Sequence, residues 1–304
     1  MATVQIPTTL DTALARAKAR SRRPFSWGSL SVMTILFIAS IYFLLPFYWL
    51  IISATKNTND LFTTFGFWFS GHFNLFTNIQ LLFTYNGAIY LRWLLNSFIY
   101  SGVSAIAGTF LSAMTGYALA RYVFRGRDMI FSVILGAILV PATVLVLPLY
   151  LMMSAVNLTN TYWAVLLPTI VNPFGVYLAR IYANASVPDE LLDAARVDGA
   201  GEFRTFLTIA CRIMVPALVT VFLFQFVATW NNYFLPLVML SDNSLYPIPV
   251  GLQTWNSTTY GGTQQFLYAL ITTGSLISVI PLIIGCLFLQ RFWRGGLSAG
   301  SVKG

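Results

Sequence analysis

The chain has 304 residues, 57% hydrophobic and 9% charged, with a mean hydropathy of +0.74 and a formal net charge of +8. Soluble domains carry about 25% charged residues, so this composition excludes an ordinary water-soluble enzyme and implies a chain solvated mostly by lipid. A single histidine, His72, and two cysteines with no CxxC spacing exclude a metal cluster built on those residues, and basic residues confined to short segments exclude a nucleic-acid-binding face.

Uncharged apolar runs fall at about 30–54, 93–118, 130–153, 161–179, 214–240 and 266–290. Each is long enough to cross a hydrocarbon core of about 30 Å at 1.5 Å per residue. Residues 1–29 read as a basic segment preceding the first span, and 30–304 as one transmembrane domain. The run from Leu30 to Ala54 exceeds the apolar region of a signal peptide and ends at Lys56 without a small-residue cleavage site, so it is expected to be retained. Residues 57–91, rich in Phe and Trp, suit an interfacial lid, and 241–265, with Pro247, Pro249 and Gly261-Gly262, read as a flexible loop.

Basic residues set the orientation. Fifteen of the 17 lie in the N-terminal segment, the loops after spans two and four, and the C-terminal tail; only Lys56 and Arg92 fall on the other side. By the positive-inside rule both termini are cytoplasmic and the number of spans is even.

Within the spans, proline occurs in five of six (Pro46, Pro141 and Pro148, Pro168 and Pro173, Pro236, Pro281), and each is expected to kink its helix. Span two lacks proline and carries two rows of small residues at spacing four: Ser97, Ser101, Ala105, Thr109, Ala113 and Ser104, Gly108, Ser112, Gly116, Ala120. Such rows let helices approach closely in lipid, either within this chain or against a partner. No ionisable residue lies in the body of a predicted span. Ion-coupled transport needs one, so energy for transport is expected to enter from outside the bilayer, and the solute is expected to be polar and uncharged.

Five of the nine acidic residues sit in one cytoplasmic stretch of about 183–213: Asp189, Glu190, Asp193, Asp198 and Glu202. Ser186 and Asp189 have the spacing of a capping box ahead of a helix over about 187–198. Gly199 is expected to stop that helix in a left-handed turn, and a second helix through Phe203 and Phe206 leads into span five. Bent helices with the small residues Ala194 and Ala195 and surrounding carboxylates form either a knob for a basic partner or a solvated connector. On span five, Gln225, Trp230, Asn231, Asn232 and Tyr233 combine amide donors with aromatic faces, which suits either sugar along a path or interhelical packing.

Asp193-Ala-Ala-Arg-Val-Asp-Gly199-Ala, followed by Phe203, Phe206, Ile209 and Pro216, resembles the EAA loop of binding-protein-dependent ABC importers in their carbohydrate, maltose-type group. Gly116-Tyr-Ala-Leu-Ala-Arg121, Trp230-Asn-Asn-Tyr-Phe-x-Pro236 and the tail Ala299-Gly-Ser-Val-Lys-Gly304 resemble the second permease of that group. The chain departs from the pattern with Asp193 in place of Glu and Cys211-Arg212 in place of Leu-Pro.

The resemblance implies an all-α integral membrane protein with six transmembrane helices and the type I importer permease fold, in a prokaryotic inner or plasma membrane. It implies a second permease, two ATP-binding-cassette ATPases that dock Asp189, Glu190, Asp193, Ala194, Ala195, Asp198 and Gly199, and an extracytoplasmic solute-binding protein touching the loop at Asn256, Gly261 and Gly262. ATP and Mg would sit on the ATPases, leaving this chain non-catalytic and without a cofactor; it has no Gly-rich Lys-Ser/Thr phosphate loop. Sugar is the expected solute, with a phosphorylated polyol such as glycerol phosphate as the alternative. A stand-alone secondary transporter or channel would need membrane-embedded charge or an inverted repeat, and a membrane enzyme a nucleophile–base pair.

Overall fold

The computed structural model describes residues 27–259 and 264–299. The basic residues ahead of Trp27, the pair Gly261-Gly262 and the tail 300–304 lie outside the described residues. Contacts divide the chain into two units, one ending at Ile51 and one running from Ile52 onward. The first consists, among the described residues, of most of α1 (Trp27–Ala54), whose face is apolar all round, as for a helix surrounded by lipid.

In the second unit, α2 (Thr58–Thr63) is capped by Asn57, whose Oδ1 accepts from the Asp60 N–H at 2.8 Å. The expected lid over 57–91 is thus largely helical, because α3 (Leu75–Arg121) extends well ahead of the predicted span at 93–118. It kinks once, where Asn86, Gly87 and Ala88 take left-handed angles (φ 49, 67 and 61°), and Tyr85 beside them packs edge-on against Trp255 and Phe266. From Ile89 to Arg121 it is unbroken.

The predicted span 130–153 is not one helix. α4 (Arg127–Leu139) and α5 (Ala142–Ala155) meet at 105° around Pro141, which has no N–H to continue the ladder and pushes Val140 out of the helical region. The fourth span, α6 (Tyr162–Ile170) and α7 (Pro173–Ser186), is interrupted at Val171-Asn172 by Pro173, and the Asn172 Oδ1 accepts from the Gly175 N–H at 2.9 Å to start α7.

α7 absorbs Ser186 as its last residue, so the expected capping box does not form; Pro188 occupies the N-cap of α8 (Asp189–Val197). α9 (Glu202–Thr205) then runs through a π-helical turn (Phe206–Ala210) into α10 (Cys211–Trp230). The connector between the spans is therefore 187–201, shorter than the expected 183–213. The predicted span 214–240 begins earlier and breaks after Trp230, resuming as α11 (Phe234–Met239). The expected flexible loop 241–265 instead holds a 3-10 turn (Asn243–Leu245) and α12 (Ile248–Thr259), before α13 (Leu267–Ala299). The described residues thus contain five helices able to cross a membrane, or six counting the bent α4–α5 pair.

The second small-residue row of α3 faces α7 and α6. A Cβ on Gly116 would lie 2.6 Å from the Ala179 Cβ and 2.7 Å from the Arg180 backbone nitrogen, and one on Gly108 would lie 2.8 Å from the Ile170 carbonyl oxygen. The second row thus serves packing inside this chain.

Candidate functional site

The knob is built from its glycine outward. Gly199 takes φ +76°, its N–H donates to the Arg196 carbonyl at 3.0 Å, and the Ala200 N–H donates to the Ala195 carbonyl at 2.9 Å. This is the paired closure of a left-handed helix stop, as the sequence predicts. Asp189 and Glu190 occupy the first turn of α8, where the helix dipole favours negative charge. Leu192 turns inward into a core cluster with Tyr117, Ala183, Val187, Phe206 and Met214, and Ala195 is buried as well. Ala194 and Ala195 therefore part company: Ala195 is core, and only Ala194 is left on the surface beside Leu191, Val197 and Asp198. An open hollow of about 430 Å³ is bordered by Leu191, Ala194, Asp198, Ala200, Arg204 and Ile209, with Ala195 at its floor.

Two adjacent residues tie both arms to the end of α3. The Arg121 guanidinium donates to Asp189 Oδ1 at 2.7 Å and, through its other nitrogen, to the Ala183 carbonyl at 2.7 Å and the Val187 carbonyl, closing the C-terminus of α7. The Tyr122 hydroxyl donates to Glu202 at 2.6 Å, and Arg196 bridges Glu202 at 2.9 Å and Asp193 at 3.0 Å. Donation from Arg196 and then Tyr122 holds the Glu202 carboxyl below the usual carboxylate range, while burial and that same carboxylate push the Tyr122 hydroxyl up. The tie is therefore fully present above the ordinary carboxylate pKa and is lost as pH falls through the lowered one. Three of the five clustered carboxylates are thus engaged within the chain. Among the described residues, Glu190 and Asp198 form no ion pair and face outward. Sequence reading counted Arg121 as a topological charge and as the end of the Gly116–Arg121 stretch, without a partner; its place directly after a proline-free span was the available signal.

The five polar residues expected on span five do not share one helix face. Gln225 is buried and its amide donates to the Thr169 carbonyl. That carbonyl is orphaned because its helical partner four residues on is Pro173, which has no N–H. Gln225 thus repairs the broken fourth span, and Thr169 is further held by Ser104, hydroxyl to hydroxyl at 2.7 Å. Gln225→Leu leaves a buried carbonyl unpaired, so the unfolding free energy should fall by about 1–3 kcal/mol; an unchanged thermal midpoint in detergent would remove this role. Trp230 is also buried, stacked on Phe226 and donating to the Ser278 carbonyl at 3.2 Å. Asn231 to Tyr233 form the break after α10 rather than continuing it. The exposed Asn231 amide closes its own helix through the Val227 carbonyl at 2.9 Å, and Asn232 accepts from the Leu235 N–H at 3.4 Å to open α11.

At the other end of α3, a polar row of which sequence reading singled out only Ser97, as a small residue, holds the segment leading to α12. Trp93 Nε1 donates to the Asn243 carbonyl at 2.9 Å, and the Asn96 amide donates to the carbonyls of Ser244 and Tyr246 at 2.8 and 3.0 Å. Ser97 Oγ accepts from the Ile248 N–H at 2.8 Å, and the Tyr100 hydroxyl donates to the Leu245 carbonyl at 3.0 Å. Asn256, half-buried, lies on the far half of α12, and Gly251 presses its backbone on the Trp93 ring so closely that no Cβ fits. Gly261 and Gly262 lie outside the described residues.

Long apolar helices, several of them broken within the predicted spans, mark a multi-pass membrane protein. Residues 108–294 match the family described as binding-protein-dependent transport system inner membrane component, and the chain belongs to that family. It is 40% identical over 227 residues to the arabinooligosaccharides transport system permease protein AraQ of Halalkalibacterium halodurans, covering 75% of this chain and 79% of that one. It is 33% identical over 281 residues to the AraQ protein of Bacillus subtilis, covering 92% and 98%. Its fold matches, with a TM-score of 0.77 at 19% identity over 89% of this chain and 99% of the other, a chain of a bacterial ABC transporter involved in the import of the acidic polysaccharide alginate. The chain is accordingly an ABC importer permease embedded in a membrane.

Proposed function

We propose that this permease forms half the pore of an ATP-driven sugar importer, with oligosaccharides as the solute class. The observation that carries the mechanism is the knob at Gly199. It is a closed helical elbow with one outward face, bearing Leu191, Ala194, Val197 and the two uncommitted carboxylates Glu190 and Asp198. Such a face suits a cleft on a separate ATPase that has apolar walls and a basic rim. Closure of two ATPases on ATP then displaces the elbow, and the continuous helical run from Glu202 to Trp230 carries the displacement toward the break at Asn231–Tyr233.

The sugar assignment draws on the names of the relatives, and on a chain whose predicted span bodies hold no ionisable group. A phosphorylated polyol is the solute in one relative's name, but a phosphate needs cations along its path and the predicted span bodies hold none. Family membership likewise displaces the stand-alone transporter. Asn231, Asn232 and Tyr233 are the path residues this reading keeps, since Gln225 and Trp230 are occupied in packing. Arg121 at the end of α3 binds the knob and Arg180 of α7 pairs with Asp128 at the start of α4, whereas Arg92 and Lys56 bind carbonyls of Ser244 and Phe65 elsewhere. By the positive-inside rule the knob faces the cytoplasm of a prokaryotic cell and α12 faces a solute-binding protein. ATP and Mg²⁺ belong to the ATPases, and this chain is non-catalytic.

Reconstitution tests the reading. Vesicles holding this chain, its sister permease and two ATPases should accumulate labelled arabino-oligosaccharide only with ATP and binding protein, and this chain alone should move none. Within the same assay Asn231→Ala should slow uptake without loss of assembly. Uptake by the lone chain, or a complex indifferent to ATP, would sink the proposal.

A further inference from the structure

We infer that α3 is a rigid strut linking the ATPase-facing knob to the binding-protein-facing segment 243–259, so that the two partners communicate through it. The inference rests on the function proposed above and adds the route of regulation.

Three independent observations carry it. The first is continuity. From Ile89 to Arg121 the helix has no non-helical residue and no proline, and 33 residues at 1.5 Å each make a rod of about 50 Å. Every other membrane-crossing element among the described residues contains a proline or a break: Pro46 in α1, the corner at Pro141, Pro168 and Pro173 in the fourth span, Pro216 in α10 and Pro281 in α13.

The second is that both ends are fastened by hydrogen bonds, not merely packed. At the knob, Arg121 grips the first arm through Asp189 and the end of α7, while Tyr122 grips the second through Glu202. At the far end, Trp93, Asn96, Ser97 and Tyr100 fix five backbone groups between Asn243 and Ile248. These four side chains point from successive turns of one helix, so the attached segment must move with the helix end.

The third is the shaft between the fastenings. Gly108 and Gly116 bring the backbones of α6 and α7 against α3 so closely that a methyl group would meet them at 2.8 and 2.6 Å. A helix held this tightly along its length tilts or slides as a body; it cannot bend locally without opening these contacts.

Displacement of either end therefore moves the other. Sugar-loaded binding protein seated on 243–259 biases the knob, and ATP-driven closure at the knob moves 243–259. Linkage requires the two influences to be reciprocal.

The test uses the full complex in nanodiscs with its ATPases and binding protein. Trp93→Phe removes the bond to Asn243 about 40 Å from the knob. It should lower the stimulation of ATP turnover by sugar-loaded binding protein about 3- to 10-fold, the worth of one buried hydrogen bond, while basal turnover stays at the wild-type rate. Tyr100→Phe, which removes a hydroxyl without changing the ring, should act in the same direction. Spin labels at Val197 and Gln253, in a background with Cys211 and Cys286 replaced by serine, should give the same distance distribution with and without ATP. Normal stimulation in both variants, an equal fall in basal and stimulated turnover, or an ATP-dependent shift in that distance each overturns the strut. A wild-type complex that binding protein does not stimulate at all overturns instead the function it rests on.

Discussion

Gly199→Pro abolishes coupling: the assembled complex should lose its transport-linked ATP turnover by about 100-fold or more, with the chain still inserted in the membrane. Proline is locked near φ −65° and has no N–H, whereas residue 199 sits at φ +76° and donates to the Arg196 carbonyl at 3.0 Å. Both requirements fail at once, at a cost of about 3 kcal/mol or more, and about 2.7 kcal/mol already corresponds to 100-fold. The fault is conformational and not steric, since a Cβ at 199 meets nothing within 4 Å. Gly199→Asn is therefore the informative control. Asparagine visits the left-handed region more readily than other side chains, so this variant should keep most of the coupling and Gly199→Val should lose it. Equal activity in the asparagine and proline variants would mean that the elbow is not what the ATPase holds.

Gly116→Val should prevent stable folding, whatever partners are present. Its Cβ falls 2.6 Å from the Ala179 Cβ, 2.7 Å from the Arg180 nitrogen and 2.9 Å from the Val176 oxygen. Two of those three atoms are backbone, so no change of rotamer relieves the overlap and α3 must separate from α7. Overpacking of this kind costs about 1–3 kcal/mol where side chains can shift, and more where they cannot. The separation also pulls Arg121 from the carbonyls at the end of α7, so the knob loses its first anchor. Gly102→Ala is the matched control on the same helix. No atom lies within 4 Å of its Cβ, and the substitution should leave stability unchanged or raise it by up to about 1 kcal/mol through helix propensity. Thermal unfolding of the purified complex in detergent separates the two; a valine variant as stable as the wild type would refute the close approach.

Both glycines could be read in advance, but for different reasons. Gly199 follows a helix whose acidic first turn and small apolar residues are local in the chain, and a left-handed stop is a local event closed by residues no more than five apart. The spacing-four rows at 97–120 likewise announced a close helix contact, though not which helix supplied it. Other expectations failed where one element competed with its neighbour. Ser186 has the spacing of a cap, yet α7 has enough helical residues behind it to keep Ser186 in its own last turn, leaving Pro188 to begin α8. The Pro- and Gly-bearing stretch 241–265 reads as loose, yet the bonds from α3 and the Trp93–Trp255 ring contact at 4.7 Å order most of it.

By itself, then, the sequence determined the lipid-bound class, the existence of the apolar runs, the skew of basic charge and the helix stop at Gly199. Each of these is a property of composition or of a few consecutive residues. Only the tertiary structure decided that Pro141 turns the chain by 105°, that Gln225 mends the carbonyl freed by Pro173, and that Arg121 grips Asp189 across 68 positions and Trp93 grips Asn243 across 150. The physical reason lies in the solvent. A helix in lipid is apolar on every side, so periodicity does not mark the face that packs. The partner of each polar group is set by which broken backbone comes near it once the helices have assembled.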